Sequence, residues 1–484
     1  MSYQKFTKDV GIIGLTELVI ALKGLIVLPI ITKLLGPENY GIWAQLIVTL
    51  SLITPIAILG LPYTLVRFLA AEKDRKEIQD GIWSVLTIVF GIAVLIALIL
   101  LTFSGPISNF FGGEKILVQI LAITIILECL NQVFFNIFRS FQEVGRYSSF
   151  MIFQTLGEVG LVSGAVLLGY GLFGAVLSLL IIRGVNFLIM SILTIQRIGF
   201  KIPKFLRIKE YLRFSLPTIP GNISSWIVQS SDRYLIGFFL GTLFVGYYVP
   251  AYVIGNSINF FIMPLVFVLP AVLSKFYDEN KINEVKIYLK YSLKYFLMIG
   301  IPSVFGLSIL SKQLLTIFST SEIAQQSYHI VPFVALSILL FGIYAVTAQI
   351  ISLKKKTKIT GVIWMAAAFL NLGLNFIFIP KFGILGAAIT TLLAYSLAFT
   401  LTWYYSFREF QFDIDWKFIF KSIFASILMA LSIFWFSPLG FLKTMIAIIF
   451  GIFIYGILIF LLKGFSKEEI YFFGGFFHPL YSGK

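Results

Sequence analysis

Leu34-Leu35-Gly36-Pro37-Glu38-Asn39-Tyr40-Gly41-Ile42-Trp43 (LLGPENYGIW) lies without a gap over FLGTLFVGYY at 239–248, an offset of 205 residues. Leu35, Gly36 and Gly41 match Leu240, Gly241 and Gly246, and Trp43 faces Tyr248. Further on, YGLFGA (170–175) lies over FGILGA (382–387) at an offset of 212, with Gly171, Gly174 and Ala175 against Gly383, Gly386 and Ala387. The offsets differ by seven residues, the size of a small insertion. The first match falls at the turn after the first apolar run of each half. The second falls at the turn before the sixth. Six spans per half is an even number, so both halves face the same way. Parallel halves related by an axis along the membrane normal are a transporter architecture. Gly36, Gly41, Gly241 and Gly246 are read as residues that allow tight helix–helix turns.

The membrane reading comes from composition. Apolar residues make up 59% of the 484, charged residues only 12%, and mean hydropathy is +0.96. A soluble domain carries about 25% charged residues. Apolar runs of about 20 residues recur along the chain, which predicts an all-α polytopic membrane protein and not a β-barrel. Fourteen spans are expected, near 10–34, 41–69, 80–103, 115–140, 148–170, 173–197, 214–240, 243–273, 284–310, 326–353, 358–379, 383–405, 416–437 and 439–463. They divide into an N-terminal lobe (1–200), an interfacial linker helix (201–213), a C-terminal lobe (214–410), two additional spans (411–463) and a tail (464–484). A central cavity between the lobes is expected. No cleavable signal peptide is expected, because Glu17 and Lys23 interrupt the first apolar run. The lone Cys129 and the separated His329 and His478 give no metal site. No segment between spans is long enough for a soluble catalytic domain, so no enzyme and no cofactor is expected.

Orientation follows from Lys and Arg. With the N-terminus inside, 29 of the 37 fall inside, five outside (Lys33, Lys115, Lys312, Lys381, Lys443) and three at membrane depth. This positive-inside pattern predicts a multi-pass protein of the cell membrane with both termini cytoplasmic. It also absorbs the +15 net charge, which reflects topology and contact with anionic lipid, not nucleic acid. In the linker KIPKFLRIKEYLR (201–213), Phe205, Leu206, Ile208 and Leu212 make an apolar stripe beside Lys204, Arg207, Lys209 and Arg213.

Seven charges interrupt the spans: Glu17, Lys23, Glu128, Glu158, Arg183, Asp232 and Arg233. Each costs roughly 2.5–3.5 kcal/mol at bilayer depth unless paired or hydrated. Lys23, Arg183 and Arg233 are the candidate cations for an anionic cargo, Arg233 lying nearer the outside. The plainer reading is that they neutralise the four acids. Glu17, Glu128 and Glu158 are counter-ions on one reading and H⁺ or Na⁺ coupling groups on another. Asp232 and Arg233 point about 100° apart on a helix and need not pair. Asn222 and Gln229 share a face with Arg233, and this stripe is the expected cavity wall. Glu17 and Lys23, six apart, should find partners on other helices.

The stretch VLPIITKLLGPENYGIW (27–43) resembles the hallmark of polysaccharide-transport proteins, the Wzx-type flippases of the multidrug/oligosaccharidyl-lipid/polysaccharide (MOP) exporter superfamily. The resemblance implies an oligosaccharide on a polyprenyl (di)phosphate as cargo, alternating access and a cationic cavity. Partners are then the lipid-linked cargo, membrane lipids and other glycan-assembly proteins, with a monomer as the simplest state. The competing functions are a multidrug or cation exporter, which calls for an acidic cavity, a membrane glycan polymerase or ligase, which calls for acidic or His groups in larger loops, and a lipid scramblase.

Overall fold

Residues 3–69, 72, 74–436, 438–465 and 469 are described by the computed structural model, and they are helical almost throughout. Nearly all of the expected tail 464–484 lies outside them. The repeat is visible in the backbone. Helix α1 (Tyr3–Ala57) breaks once, at Gly36 (φ 78, ψ 173). Gly241 (φ 96, ψ 165) makes the same break between α9 (Ile219–Leu240) and α10 (Thr242–Gly255). That backbone region is essentially closed to residues with a Cβ. Pro37, with its fixed φ, restarts the helix directly after Gly36. Gly171 (φ 61) and Gly383 (φ 62) match as well.

The first lobe continues through α2 (Leu61–Leu69), α3 (Arg75–Thr102), α4 (Ser104–Phe111), α5 (Lys115–Ser140), α6 (Val144–Leu167) and α7 (Gly171–Ile198), and then the linker helix α8 (Ile208–Ser215). The second lobe comprises α9, α10, α11 (Asn259–Asp278), α12 (Ile282–Ile309), α13 (Ser311–Phe318), α14 (Ser321–Ser327), α15 (Val331–Leu353), α16 (Thr357–Phe382) and α17 (Ile384–Glu409). Helices α18 (Trp416–Phe436) and α19 (Phe441–Leu461) follow, α18 packing on α12. Among the described residues, twelve helical segments are long and apolar enough to cross a membrane. One of these, Gly11–Ala57, holds two spans separated at Gly36. The 22-residue α9 is a further span, diluted by Asn222, Gln229, three serines from Ser224 to Ser230, Ser231, Asp232 and Arg233. With these, all fourteen expected spans are present.

Three expectations need correction. The second span, read as continuous over 41–69, breaks where Leu59 (φ 50) and Gly60 (φ 66) leave the helical region. Gly41 and Gly246, read as turn residues, lie within α1 and α10 and are helical. The eighth span, read over 243–273, is present as one segment, Thr242–Asp278, tightened into a 3₁₀ turn at 256–258. The linker is helical only from Ile208. Pro203 disfavours helix in the residue before it, and the Asp80 carboxylate instead takes the backbone N–H groups of Lys204 (2.5 Å) and Leu206 (3.1 Å).

The lobes meet along α1 and α10 at the end that carries Gly36 and Gly241. A Cβ on Gly41 would overlap the Thr242 carbonyl oxygen, and one on Gly246 would overlap that of Pro37. Shifting Pro37 and Gly41 by 205 gives Thr242 and Gly246, so each lobe seats its own helix start on the other's glycine. The short helices at this end join the same pattern. Thr242 Oγ1 donates to the Phe111 carbonyl ending α4 (2.8 Å), and Lys33 Nζ donates to the Ile317 carbonyl near the end of α13 (2.6 Å).

Candidate cargo cavity

Between the lobes, on the side of the seam away from Gly36 and Gly241, lies a cavity of 420 Å³. It runs from Ile47, Leu50 and Ser51 on α1 past Pro55 and Ile58 to Gly60 and Tyr63 on α2. Its charged wall belongs to the first lobe: Lys23, Glu128, Glu158 and Arg183, with Gln132. Asn222 is the second lobe's residue in this wall. Trp226 Nε1 donates to Ser51 Oγ across the lobes at 3.0 Å.

The four charges form one network drawn from four helices. Lys23 Nζ on α1 meets Glu158 Oε1 on α6 at 3.0 Å. Arg183 on α7 donates from Nε to Glu128 Oε2 on α5 at 2.7 Å, and its other arm lies 3.5 Å from Glu158 Oε2. Gln132 Nε2 donates to the remaining Glu128 oxygen at 2.8 Å. Asn131 holds the Arg183 backbone carbonyl at 3.0 Å. The side chains of Arg183 and Glu158 are each 6% exposed, whereas that of Lys23 is 33% exposed. Two cations and two carboxylates cancel, so the resting wall is neutral. The Lys23 ammonium, held by a single carboxylate and facing the cavity, is the charge most available to an incoming anion. Arg183, gripped by two carboxylates, orients them.

Glu17 stands apart, half-buried on α1 within the field of Arg139. In the second lobe the expected stripe divides. Asn222 lines the cavity and Gln229 is exposed, but Arg233 is buried and outside the cavity wall. Arg233 and Asp232, read from sequence as free to ignore each other, are an ion pair at 2.8 Å. Flexible side chains overcome the 100° between their backbone positions. The Arg233 guanidinium also donates to the Gln229 carbonyl and lies 4.2 Å over the Tyr252 ring. The other Asp232 oxygen accepts from the Tyr248 hydroxyl at 2.5 Å. Sequence reasoning missed Tyr248, Tyr252, Trp226, Ser51 and Gln45. Gln45, a lone amide within the apolar second span, was the one signal available.

A second chamber of 660 Å³ is almost wholly apolar. It lies between α11, α12 and the last two helices, among Phe261, Pro302, Leu307, Met429, Gly451 and Tyr455.

The family model for polysaccharide biosynthesis proteins matches residues 6–277, more than half of the chain. The chain belongs to the polysaccharide biosynthesis protein family. The MatE family model matches residues 217–377, within the second lobe. Among named relatives, the "Probable low-salt glycan biosynthesis flippase Agl15" of Haloferax volcanii is 24% identical over 399 residues, covering 81% of this chain and 82% of the relative. The fold is shared with "Lipid II flippase MurJ, inward closed conformation" at a TM-score of 0.74 and 18% identity, covering 94% of this chain and 99% of that one. It is shared also with an inward-facing multidrug resistance MATE transporter of the MOP superfamily, at a TM-score of 0.69 and 17% identity, over 82% of this chain and 98% of that one.

Proposed function

We propose that the chain is a flippase that moves an oligosaccharide linked to a polyprenyl (di)phosphate across the cell membrane by alternating access, for surface polysaccharide or glycan assembly. It transports and breaks no bond. The relatives named above are a glycan biosynthesis flippase and a lipid II flippase, and both agree with this reading. The observation that carries it for this chain is the cavity: sealed at the Gly36 end, reaching toward the opposite end, and lined by a charge network whose lysine faces the space. The basic loops assign that opposite end to the cytoplasm, with both termini on that side. The conformation is then the one that loads cargo from the inner leaflet.

Lys23 and Arg183 receive the phosphate. Phosphates are strongly hydrated and must be re-solvated inside the cavity, where Lys acts as a point charge and Arg as a planar fork. Cargo phosphate competes with Glu158 for Lys23. The carboxylate thus released is the group on which H⁺ or Na⁺ coupling would act. The apolar chamber beside α18 and α19 suits an isoprenoid chain by the same matching of chemistry.

The test is translocation of a fluorescent polyprenyl-diphosphate oligosaccharide in proteoliposomes, read by exposure to an external glycosidase. Lys23→Gln should lower the rate about tenfold or more, the worth of one charge-assisted hydrogen bond. Full transport by Lys23→Gln would remove this head-group site. Wild-type vesicles that move a cationic dye and not the glycan would favour the exporter.

A further inference from the structure

The α9 stripe runs from open to sealed. Asn222 lines the cavity, Gln229 is exposed, and Arg233, one turn further toward the seam, is 7% exposed. Part of α9 near Arg233 is covered by the first lobe. Thr49 Oγ1 and the Tyr234 hydroxyl lie 2.6 Å apart across the seam, and a Cβ on Gly237 would overlap the Gln45 amide. Gln45 is fully buried, yet among the described residues neither its amide nitrogen nor its amide oxygen has a hydrogen-bond partner. A buried amide with both atoms unpaired is rare and unfavourable. Parting of the seam would let water or a ligand reach it and satisfy it.

Depth points the same way. Lys23 lies 13 residues before Gly36, Arg183 lies 12 after Gly171, and Arg233 lies 8 before Gly241. At 1.5 Å per residue the first two are roughly 18–20 Å from the sealed end and Arg233 about 12 Å. The second lobe's cation therefore lies beyond the cavity's cations along the direction of transport. Its surroundings differ as well. A guanidinium fork is stacked on Tyr252 beside the Tyr248 hydroxyl, which suits phosphate oxygens and sugar hydroxyls together.

We propose that Arg233, Asp232, Tyr248 and Tyr252, with Gln45 on the facing wall, form a second station for the phosphorylated glycan head group, occupied once the Gly36 end opens. Cargo passes from the first lobe's charges to the second lobe's before release. The proposal rests on the flippase reading above.

The test holds the seam open. Gly246→Trp collides with Pro37, and Gly41→Trp breaks the same seam from the other lobe as a second variant. In either background Gln45→Cys should react with a membrane-impermeant maleimide, and with the native seam it should not. A farnesyl-diphosphate disaccharide is the binding probe. With the seam open, Arg233→Lys should weaken it about tenfold, since Lys cannot replace a stacked, forked contact, while Lys23→Gln changes little. With the native seam the order reverses. Arg233→Lys keeps a cation beside Asp232, and Tyr252→Phe gives a second, milder variant. An unlabelled Gln45→Cys in both open-seam variants would overturn the proposal. So would equal effects of Arg233→Lys and Lys23→Gln in both states. Inorganic diphosphate competing as well as the glycan conjugate would remove the hydroxyl-binding part. Failure of the native-seam protein to bind the probe at all would sink the flippase reading, and this proposal with it.

Discussion

The two lobes share a scaffold and differ in where they keep their charge. In the first lobe four charged side chains come from α1, α5, α6 and α7, and all four line the cavity, Lys23 the most exposed of the cations. In the second lobe two charges sit side by side on α9, packed with tyrosines and closed off. The backbone devices are repeated: the breaks at Gly36 and Gly241, the glycines at 41 and 246, the capped ends of α4 and α13. Pseudo-symmetry is thus kept in the backbone of the seam and dropped in the charged interior. A symmetric hinge with an asymmetric interior can present different chemistry at its two ends.

The sharpest way to break the comparison is at the shared device. Gly246→Leu puts a branched side chain where the Pro37 carbonyl sits, and no flexible tail is available there to move aside. Closure of the Gly36 end should fail, with transport falling by about two orders of magnitude or more, since an alternating-access carrier that cannot populate one state cannot cycle. Gly41→Leu should do the same. A large difference between them in outer accessibility of single-cysteine reporters would show that the repeat is not functionally symmetric.

Next in size is the charge itself. Asp232→Ala leaves Arg233 buried with only the Tyr252 ring and a backbone carbonyl, a loss of about 3–5 kcal/mol expected for a broken buried pair. Glu158→Ala should cost less, because Arg183 keeps Glu128 at 2.7 Å and Lys23 turns to the cavity. Thermal unfolding in detergent measures both. If Glu158→Ala is the more damaging, the first-lobe network is a structural brace and not a cargo wall.

Gly36→Ala and Gly241→Ala should each cost about 1–3 kcal/mol, the strain of a Cβ in that backbone region. Similar values are expected, because both glycines occupy the same backbone region.

How much of this was legible beforehand divides along the same line. The fourteen spans follow from hydropathy, since apolar length is a local property, and the parallel repeat follows from LLGPENYGIW over FLGTLFVGYY together with YGLFGA over FGILGA. Of the four glycines read as turn residues, Gly36 and Gly241 make the breaks, whereas Gly41 and Gly246 are helical and allow close approach across the seam. The membership of the cavity was only half legible. Sequence gives the depth of Lys23, Glu128, Glu158 and Arg183, and equal depth on four helices already suggests contact. It does not give the rotation of each helix or the bending of a side chain. The pairing of Asp232 with Arg233 and the sealing of the upper α9 stripe were therefore invisible. The break at Gly60 was hidden for another reason: it interrupts a run whose hydropathy stays high throughout.

An effect no larger than that of the two glycines belongs to the joint between the lobes. Asp80 is nearly fully buried, and its two oxygens accept the N–H groups of Lys204 and Leu206. Gln79 and Trp83 donate to the carbonyls of Ile198 and Gly199 at the end of α7. The linker is therefore bound to the first lobe, and a pivot for relative motion is expected after α8, near Thr218, whose hydroxyl would lie 3.1 Å from a Cβ added at Gly60. At the position 205 residues on, the second lobe has Val285, which has no carboxylate. Asp80→Asn keeps one acceptor and turns the other into a donor facing an N–H, for a cost of about 1–3 kcal/mol. Amide exchange should quicken at Lys204 and Leu206 and remain unchanged in α12. If exchange quickens in both places, the linker is bound to both lobes and the pivot lies elsewhere.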